Sequence, residues 1–192
     1  AQRFDSAAIN PYTPAAYSWP STFTKEEERY LTNEIQRLIT LLGMNTSVFN
    51  IETRVGKNNK PYIMEMSPRG GGNRLCEMIR YATGVDMITA ITRSVVGDEP
   101  AEIEQRLYNG HWAEIILHTD VDGKFDKLQI DPSFSNKVIE KDIWVKSGDL
   151  IHSFEAANNA IGTLILRFDN AKELEDAITN QDQWLKICIT QK

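Results

Sequence analysis

Two neighbouring segments of alternating apolar and polar residues constrain the fold of this chain more than any other feature. Residues 48–55 and 61–67 largely alternate with a period of two, and residues 56–60 between them are one glycine, two asparagines and two lysines. Such alternation puts apolar side chains on one face of a strand, and a short polar turn brings two strands side by side. The segment is therefore predicted to be a β-hairpin with one apolar and one polar face.

The polar face of this hairpin carries two acidic residues at facing positions. A turn centred between Asn58 and Asn59 sets Glu52 opposite Glu65. Like charges in directly opposed positions are destabilising, and a hard divalent cation such as Mg²⁺ would remove the repulsion. Glu52 and Glu65 are therefore predicted metal ligands. The same register predicts three further pairs: Ile51 with Met66, Thr53 with Met64, and Val55 with Tyr62.

A second charged feature follows the hairpin directly. Arg69 precedes three glycines and Asn73, which lead into a helix predicted over residues 74–82. Glycines allow backbone N–H groups to approach a ligand, and a helix amino terminus favours anions. Arg69 adds a permanently charged donor that suits phosphate or carboxylate oxygens. The corner is therefore predicted to bind one of these anions.

Structural explanations exist for both features and stay open. A facing pair of glutamates is often solvated or bonded to a nearby arginine, here Arg54, and three glycines before a helix are often only a loop. The combination of paired acids, a following arginine and a glycine-led helix favours the functional interpretation.

The remainder of the first half is predicted to be helical. Thr24 with Glu27 forms a capping-box pattern before an amphipathic helix that ends at Gly43. Asp86 is a candidate cap for a helix over residues 87–96. Residues 1–23 are rich in Pro, Ala, Ser and Thr and are predicted to be extended.

Beyond about residue 110 short strands replace the helices. Two hairpins are predicted, 111–119 with 124–130 and 138–145 with 150–154, followed by a strand at 161–168, a helix capped by Asn170 and a strand at 185–189. The fold class is α+β, with an extended segment at 1–23, a helix-and-hairpin part at 24–109 and a small strand-rich subdomain at 110–192. Residues 48–67 are expected in a larger antiparallel sheet packed on the helices that begin near Lys25 and Arg74.

Composition excludes several classes of function. The formal net charge of -6 argues against nucleic-acid binding, and no apolar run reaches the roughly 20 residues that a membrane span requires. The two cysteines and three histidines are scattered without zinc-ligand spacing, and a reducing cytoplasm fits this cysteine content. The chain begins Ala-Gln-Arg-Phe without an initiator Met, which indicates a piece of a longer protein.

Three ordered stretches, 50–52, 62–72 and 82–86, resemble the signature of the ATP-grasp superfamily. The version is similar to that of carbamoyl-phosphate synthase large chains, biotin carboxylases, phosphoribosylglycinamide synthetases and, nearest of these, bacterial L-amino-acid ligases. The resemblance implies that the chain is the carboxyl-terminal, metal-binding half of such an enzyme, with residues 24–109 as the metal- and nucleotide-binding part.

The resemblance also implies roles for individual residues. Glu52 and Glu65 would bind Mg²⁺ or Mn²⁺ that bridges the ATP phosphates, and Ser67 stands where the family commonly has an asparagine as the next metal ligand. Arg69 would stabilise the transferred phosphoryl group and an acyl-phosphate intermediate. The loop residues Gly71, Gly72 and Asn73 would help to receive the acid substrate.

The implied function is ATP-dependent ligation of a carboxylate to an amine or similar nucleophile. Expected partners are small-molecule carboxylate and amine substrates and the amino-terminal portion of the same enzyme, with a homodimer as one compatible assembly. The lysines and lid that grip the nucleotide are absent, so the fragment alone is expected to be inactive. The alternative is a non-catalytic ATP-grasp-like binding or regulatory domain.

Overall fold

A computed structural model describes residues 1–6, 8–44, 47–98, 103–104 and 106–190. The chain forms two compact units, which are described separately: the sheet unit, residues 1–20 and 108–192, and the helix unit, residues 21–107. The class is α+β, as predicted, with antiparallel sheets and helices.

The regular elements follow one another in this order: β1 (Gln2–Phe4), β2 (Pro14–Trp19), α1 (Lys25–Leu41), β3 (Asn50–Val55), β4 (Pro61–Ser67), α2 (Leu75–Thr83), α3 (Met87–Val95), β5 (His111–Leu117), β6 (Gly123–Ile130), β7 (Val138–Ile143), β8 (Leu150–Ile151), β9 (Gly162–Phe168), α4 (Ala171–Thr179), α5 (Gln181–Trp184) and β10 (Leu185–Thr190).

The sheet unit contains two antiparallel sheets. One has five strands in the order β1-β2-β5-β9-β7, and the other has three in the order β10-β6-β8. The first twenty residues, predicted to be extended, supply β1 and β2, and β2 pairs with β5. The central strands β5 and β9 are buried along almost their whole length, as expected for strands covered on both faces.

The core of the sheet unit is contributed by both sheets and by α4. The side chains that form it come from alternating positions of β5 and β9, from β6 and β10, and from the inner face of the helix. Asn170 caps α4 by accepting a hydrogen bond from the Glu173 backbone N–H at 2.9 Å, as the sequence predicted.

Both hairpins predicted for residues 111–154 are wrong. β5 pairs with β2 and β9 rather than with β6, while β6 pairs with β8 and β10, and β7 pairs with β9 rather than with β8. Both edges of β5 are occupied by distant strands, so the turn at residues 120–123 carries the chain into the second sheet. A turn signal fixes a local reversal of the chain but not the strand that is paired.

The helix unit consists of α1, the β3–β4 hairpin, α2 and α3. α1 packs on β4, α2 packs on α3, and Met78 and Ala82 of α2 are buried. The sequence predicted that the hairpin would belong to a larger sheet, but in the described residues the sheet consists of β3 and β4 alone. The larger sheet is therefore wrong for the described residues, whereas the predicted packing of the hairpin on the helix that begins at Lys25 is confirmed by the contact between α1 and β4.

Helix α1 begins as its capping box predicts. The Thr24 hydroxyl accepts from the Glu27 backbone N–H at 3.2 Å, and the Glu27 carboxylate accepts from the Thr24 N–H at 2.7 Å. Gly43 follows the helix with a positive φ of 62°. Across the described ranges, no helix is long and apolar enough to cross a membrane.

We expect Thr24→Ala to lower the free energy of unfolding by about 1 kcal/mol, because a backbone N–H loses its cap. Urea denaturation measures the change. Thr32→Ala is the matched control, since the Thr32 hydroxyl bonds the Glu28 carbonyl within the same helix and alanine favours helix. Equal losses for the two variants would contradict the capping role.

Candidate functional site

The β3–β4 hairpin pairs Glu52 with Glu65, as predicted. Ile51 also pairs with Met66, but Thr53 pairs with Ile63 rather than with Met64. The predicted register is thus correct at the acidic end and wrong towards the turn, where Val55 pairs with Pro61 rather than with Tyr62.

A β-bulge between Glu52 and Thr53 explains the change of register. The five-residue turn is closed by the Gly56 N–H, which donates to the Lys60 carbonyl at 2.9 Å, and Asn59 has a φ of 57°. This turn centres on Asn58, half a residue from the predicted position, and the bulge compensates for the offset. Bulges re-aim side chains and are common beside functional sites.

Each glutamate has one polar contact on its own strand. The Arg54 guanidinium lies 3.1 Å from Glu52 Oε1, and the Ser67 hydroxyl donates to Glu65 Oε1 at 2.8 Å. Within the described part of the chain, the Oε2 atom of neither glutamate accepts a hydrogen bond. The Glu65 side chain is exposed and that of Glu52 is one-third exposed, so both can receive a ligand from solvent.

Three of the predicted metal ligands therefore lie together on adjacent strands. Glu52 and Glu65 are paired, and Ser67 is two residues beyond Glu65, opposite Asn50. These three side chains and that of Asn50 offer oxygen donors, which suit a hard divalent cation. The contact between Arg54 and Glu52 is the structural alternative predicted from the sequence. Because Arg54 uses only one carboxylate oxygen of Glu52, the geometry accommodates both this contact and a metal ion.

Arg69 lies on the turn that leaves β4. Its backbone N–H donates to the Ser67 carbonyl at 2.8 Å, and its Nη1 donates to the Gly70 carbonyl at 2.9 Å. The guanidinium is exposed and contacts its own loop. Arg69 thus lies two residues after Ser67 and is joined to it by a backbone hydrogen bond.

The glycine loop is held tightly at one position and is open at the next. A Cβ atom on Gly71 would lie 2.7 Å from Leu75 Cδ1 and 3.3 Å from Asn50 Oδ1, whereas one on Gly72 would meet no atom within 4 Å. Asn73 has a φ of 53°, a conformation that asparagine tolerates better than most residues. The loop is therefore packed closely against Leu75 at Gly71, and Gly72 is exposed.

We expect Gly71→Ala to destabilise the helix unit by about 1 to 3 kcal/mol, because the new methyl group overlaps Leu75. Gly72→Ala is the matched control, and it should leave the free energy of unfolding within about 0.5 kcal/mol of the original. Chemical denaturation of the two variants measures both values. If Gly71→Ala were as stable as Gly72→Ala, the close approach of the loop to the helix would be refuted.

Helix α2 begins without a side-chain cap. The side chain of its N-cap residue, Arg74, makes no capping hydrogen bond and instead donates through Nε to Glu77 Oε1 at 3.4 Å, whereas Thr24, Asp86 and Asn170 cap their helices. The Leu75 N–H donates to the Gly72 carbonyl at 3.4 Å, and the other N–H groups of the first turn are suited to an anion. Burial raises the pKa of the Cys76 thiol in this first turn, which disfavours a thiolate nucleophile there.

One contact at this site was not foreseen from the sequence. The alternation of β3 put Asn50 on the polar face, but the approach of its side chain to the glycine loop depends on the fold. The Asn50 side chain therefore lies beside Gly71, at the end of the hairpin where Glu52 and Ser67 lie.

Comparison with known proteins gives matches in three-dimensional structure only. No family model and no curated protein sequence matches the chain. A phosphoribosylglycinamide synthetase from Anaerococcus prevotii is 18% identical with a TM-score of 0.76 over 93% of this chain, and an L-amino acid ligase from Bacillus licheniformis is 17% identical with a TM-score of 0.79 over 96%.

A third similar structure is the biotin carboxylase domain of the Hydrogenobacter thermophilus 2-oxoglutarate carboxylase, in complex with MgADP, ADP and bicarbonate. It is 16% identical with a TM-score of 0.70 over 95% of this chain. The chain spans 46% of each of the first two structures and 41% of the third, which is less than half of their length. At these identities the likeness establishes the fold. The chain has the fold of the carboxyl-terminal half of the ATP-grasp enzymes.

Proposed function

We propose that this chain is the metal- and phosphate-binding part of an ATP-dependent ligase that joins a small carboxylate to an amine or similar nucleophile through an acyl phosphate. The observation that carries the proposal is the cross-strand pair of Glu52 and Glu65 on the hairpin of an ATP-grasp fold. Like charges directly opposite each other are destabilising, so this pair favours a bound cation.

The donor set fits Mg²⁺ or Mn²⁺ with a nucleotide. Glu52 and Glu65 each have one carboxylate oxygen outside the contacts made on their own strands. Ser67 orients Glu65 through its hydroxyl, and the lone pairs of the same oxygen are a further donor. When bound, the metal ion supplies positive charge to the phosphate oxygens of ATP.

Arg69 and the glycine loop supply the anion-binding part of the proposed site. Arg69 has an exposed guanidinium and lies two residues after Ser67, and it donates to oxygens of the phosphoryl group as negative charge develops there. The Gly72 backbone and Asn73, before the uncapped amino terminus of α2, receive the substrate carboxylate. One similar structure is described with bicarbonate, itself a small acid.

A non-catalytic binding or regulatory domain is the second candidate. The contact from Arg54 to Glu52 favours it, because a cation supplied by the chain itself partly neutralises the acidic pair. The two candidates differ in turnover and agree on metal and nucleotide binding.

Release of ADP by the full-length protein that contains this chain tests the proposal. The protein is incubated with MgATP and a panel of amino acids and other small carboxylates, and ADP is measured with each acid and without it. If the protein is a ligase, the release of ADP should depend on the presence of a particular acid. ADP release with none of them, alongside measurable MgATP binding, would support the regulatory domain instead.

A further inference from the structure

The sheet unit contains a cluster of side chains of the types that bind metal ions. It consists of Asp5, His118 and Asp120, and one ligand atom from each lies within 4.8 Å of the others. β1 and β5 both run antiparallel to β2, so their carboxyl ends meet at one edge of the sheet. Asp5 directly follows β1, and His118 directly follows β5. The topology thus brings together residues 113 positions apart.

The imidazole of His118 is fixed in place by its surroundings. Its Nδ1 lies 2.7 Å from the Ile116 carbonyl oxygen, and its ring stacks on Phe154 with centroids 4.2 Å apart. The His118 side chain is only 7% exposed. Because a carbonyl oxygen only accepts hydrogen bonds, Nδ1 carries a hydrogen, and in the neutral ring the lone pair is on Nε2.

That lone pair faces a carboxylate. His118 Nε2 lies 3.2 Å from Asp5 Oδ2, and the Asp5 side chain is one-third exposed. A lone pair and an anionic oxygen at this distance repel each other unless a proton or a metal ion lies between them. A histidine that binds a metal ion commonly donates one ring N–H to a backbone carbonyl, as His118 Nδ1 does here, and binds the ion through the other nitrogen.

The 3.2 Å contact between His118 and Asp5 is compatible with a transition-metal ion shared by the two side chains. Bonds of about 2.0 to 2.1 Å in a tetrahedral zinc site separate neighbouring ligand atoms by about 3.3 Å, close to the observed contact between His118 and Asp5. One imidazole and two carboxylates suit Zn²⁺ better than Mg²⁺ or Ca²⁺, which prefer oxygen alone. Asp120 is exposed and can rotate inwards to complete three protein ligands.

We propose that Asp5, His118 and Asp120 bind one Zn²⁺ ion, with a fourth position open to water. The ion joins the end of β1 to the end of β5. This inference does not depend on the ligase proposal, because none of its residues belongs to the hairpin.

Calorimetric titration of the metal-free chain with Zn²⁺, in excess Mg²⁺ to occupy the hairpin acids, tests the site. We expect one bound ion, and an affinity about 100-fold lower in His118→Gln. His152→Gln is the matched control, since His152 faces Asp122 at 3.7 Å with both side chains about two-thirds exposed. The control should bind Zn²⁺ as the unchanged chain does.

Absence of stoichiometric Zn²⁺ binding, or equal binding by His118→Gln and the unchanged chain, would overturn the proposal. Should His118→Gln fail to fold, Asp120→Asn alters an exposed ligand and must still lower the affinity at least about tenfold. Nitrogen-15 spectra of the His118 ring give an independent result. A doubly protonated ring at pH 7 that does not respond to Zn²⁺ would identify an ion pair with Asp5 and refute the metal site.

Discussion

Glu52→Gln is expected to reduce acid-dependent ADP release by the full-length protein about 100-fold or more, while the free energy of unfolding of this chain is unchanged or rises by a few tenths of a kcal/mol. The substitution removes half of the carboxylate charge at the proposed metal site. It also removes the repulsion between Glu52 and Glu65, which offsets the lost contact with Arg54. Opposite signs for activity and stability are typical of a functional site.

Glu34→Gln is a closely matched control for this experiment. Glu34 has a side chain 33% exposed and an arginine partner at 2.9 Å, while Glu52 has the same exposure and a partner at 3.1 Å. The hydrogen bond from Arg37 lowers the pKa of Glu34. The ionised Glu34 therefore stabilises the folded chain at pH values above the ordinary carboxyl pKa. Because pH 7 lies in that range, Glu34→Gln should lower the free energy of unfolding slightly. Its ADP release should be unaffected. Loss of stability in Glu52→Gln with full turnover would make Glu52 a structural partner of Arg54.

Gly162→Ala is expected to destabilise the sheet unit by about 3 kcal/mol, at the upper end of overpacking costs. Gly162 begins β9 and pairs with Leu117 on one side and Ile143 on the other. A Cβ atom there would lie 2.3 Å from the Asp142 carbonyl oxygen and 3.0 Å from Ile143 Cα. Both obstacles are backbone atoms, so β7 must move away from β9 and the ladder between them is disrupted.

Gly148→Ala separates this overlap from the ordinary cost of replacing a glycine. Its Cβ would meet no atom within 4 Å, but its φ of +95° disfavours other residues, so a loss of about 1 kcal/mol is expected. Thermal and chemical unfolding of both variants give the comparison. A Gly162→Ala variant no less stable than Gly148→Ala would mean that β7 does not pair with β9 as described.

The helix boundaries were predictable because their determinants are local. Thr24, Asp86 and Asn170 each cap a helix through the N–H of a residue three positions further on, so the pattern is visible in a short window of sequence. Gly43 and Gly84 follow helices with positive φ for the same local reason.

The hairpin was predictable in its acidic half but not in its turn. Alternation identifies which residues share a face, and it placed Glu52 opposite Glu65 correctly. The bulge depends on how the chain closes from Gly56 to Lys60, a difference of one residue that alternation does not determine. The close contact of Gly71 with Leu75 could not be predicted either. The sequence alone does not distinguish a glycine required for packing from a glycine required for access to a ligand.

Pairings between distant segments could not be predicted. β5 lies between β2 and β9. The pairing of β5 with these two strands depends on burial of the whole strand rather than on the adjacent turn. The same limit applies to His118. No cysteine or histidine lies near it at ligand spacing, and its carboxylate neighbour Asp5 is supplied by the first strand of the sheet.

Binding of Mn²⁺ in the presence of ADP, followed by the free-ion signal in electron paramagnetic resonance, tests most directly whether Glu52 and Glu65 hold a nucleotide-bound metal. The full-length protein and its Glu65→Gln and Glu34→Gln variants are titrated under identical conditions. We expect nucleotide-dependent Mn²⁺ binding that Glu65→Gln weakens about 100-fold and Glu34→Gln leaves unchanged. Equal Mn²⁺–ADP binding by the unchanged protein and by Glu65→Gln would contradict this expectation.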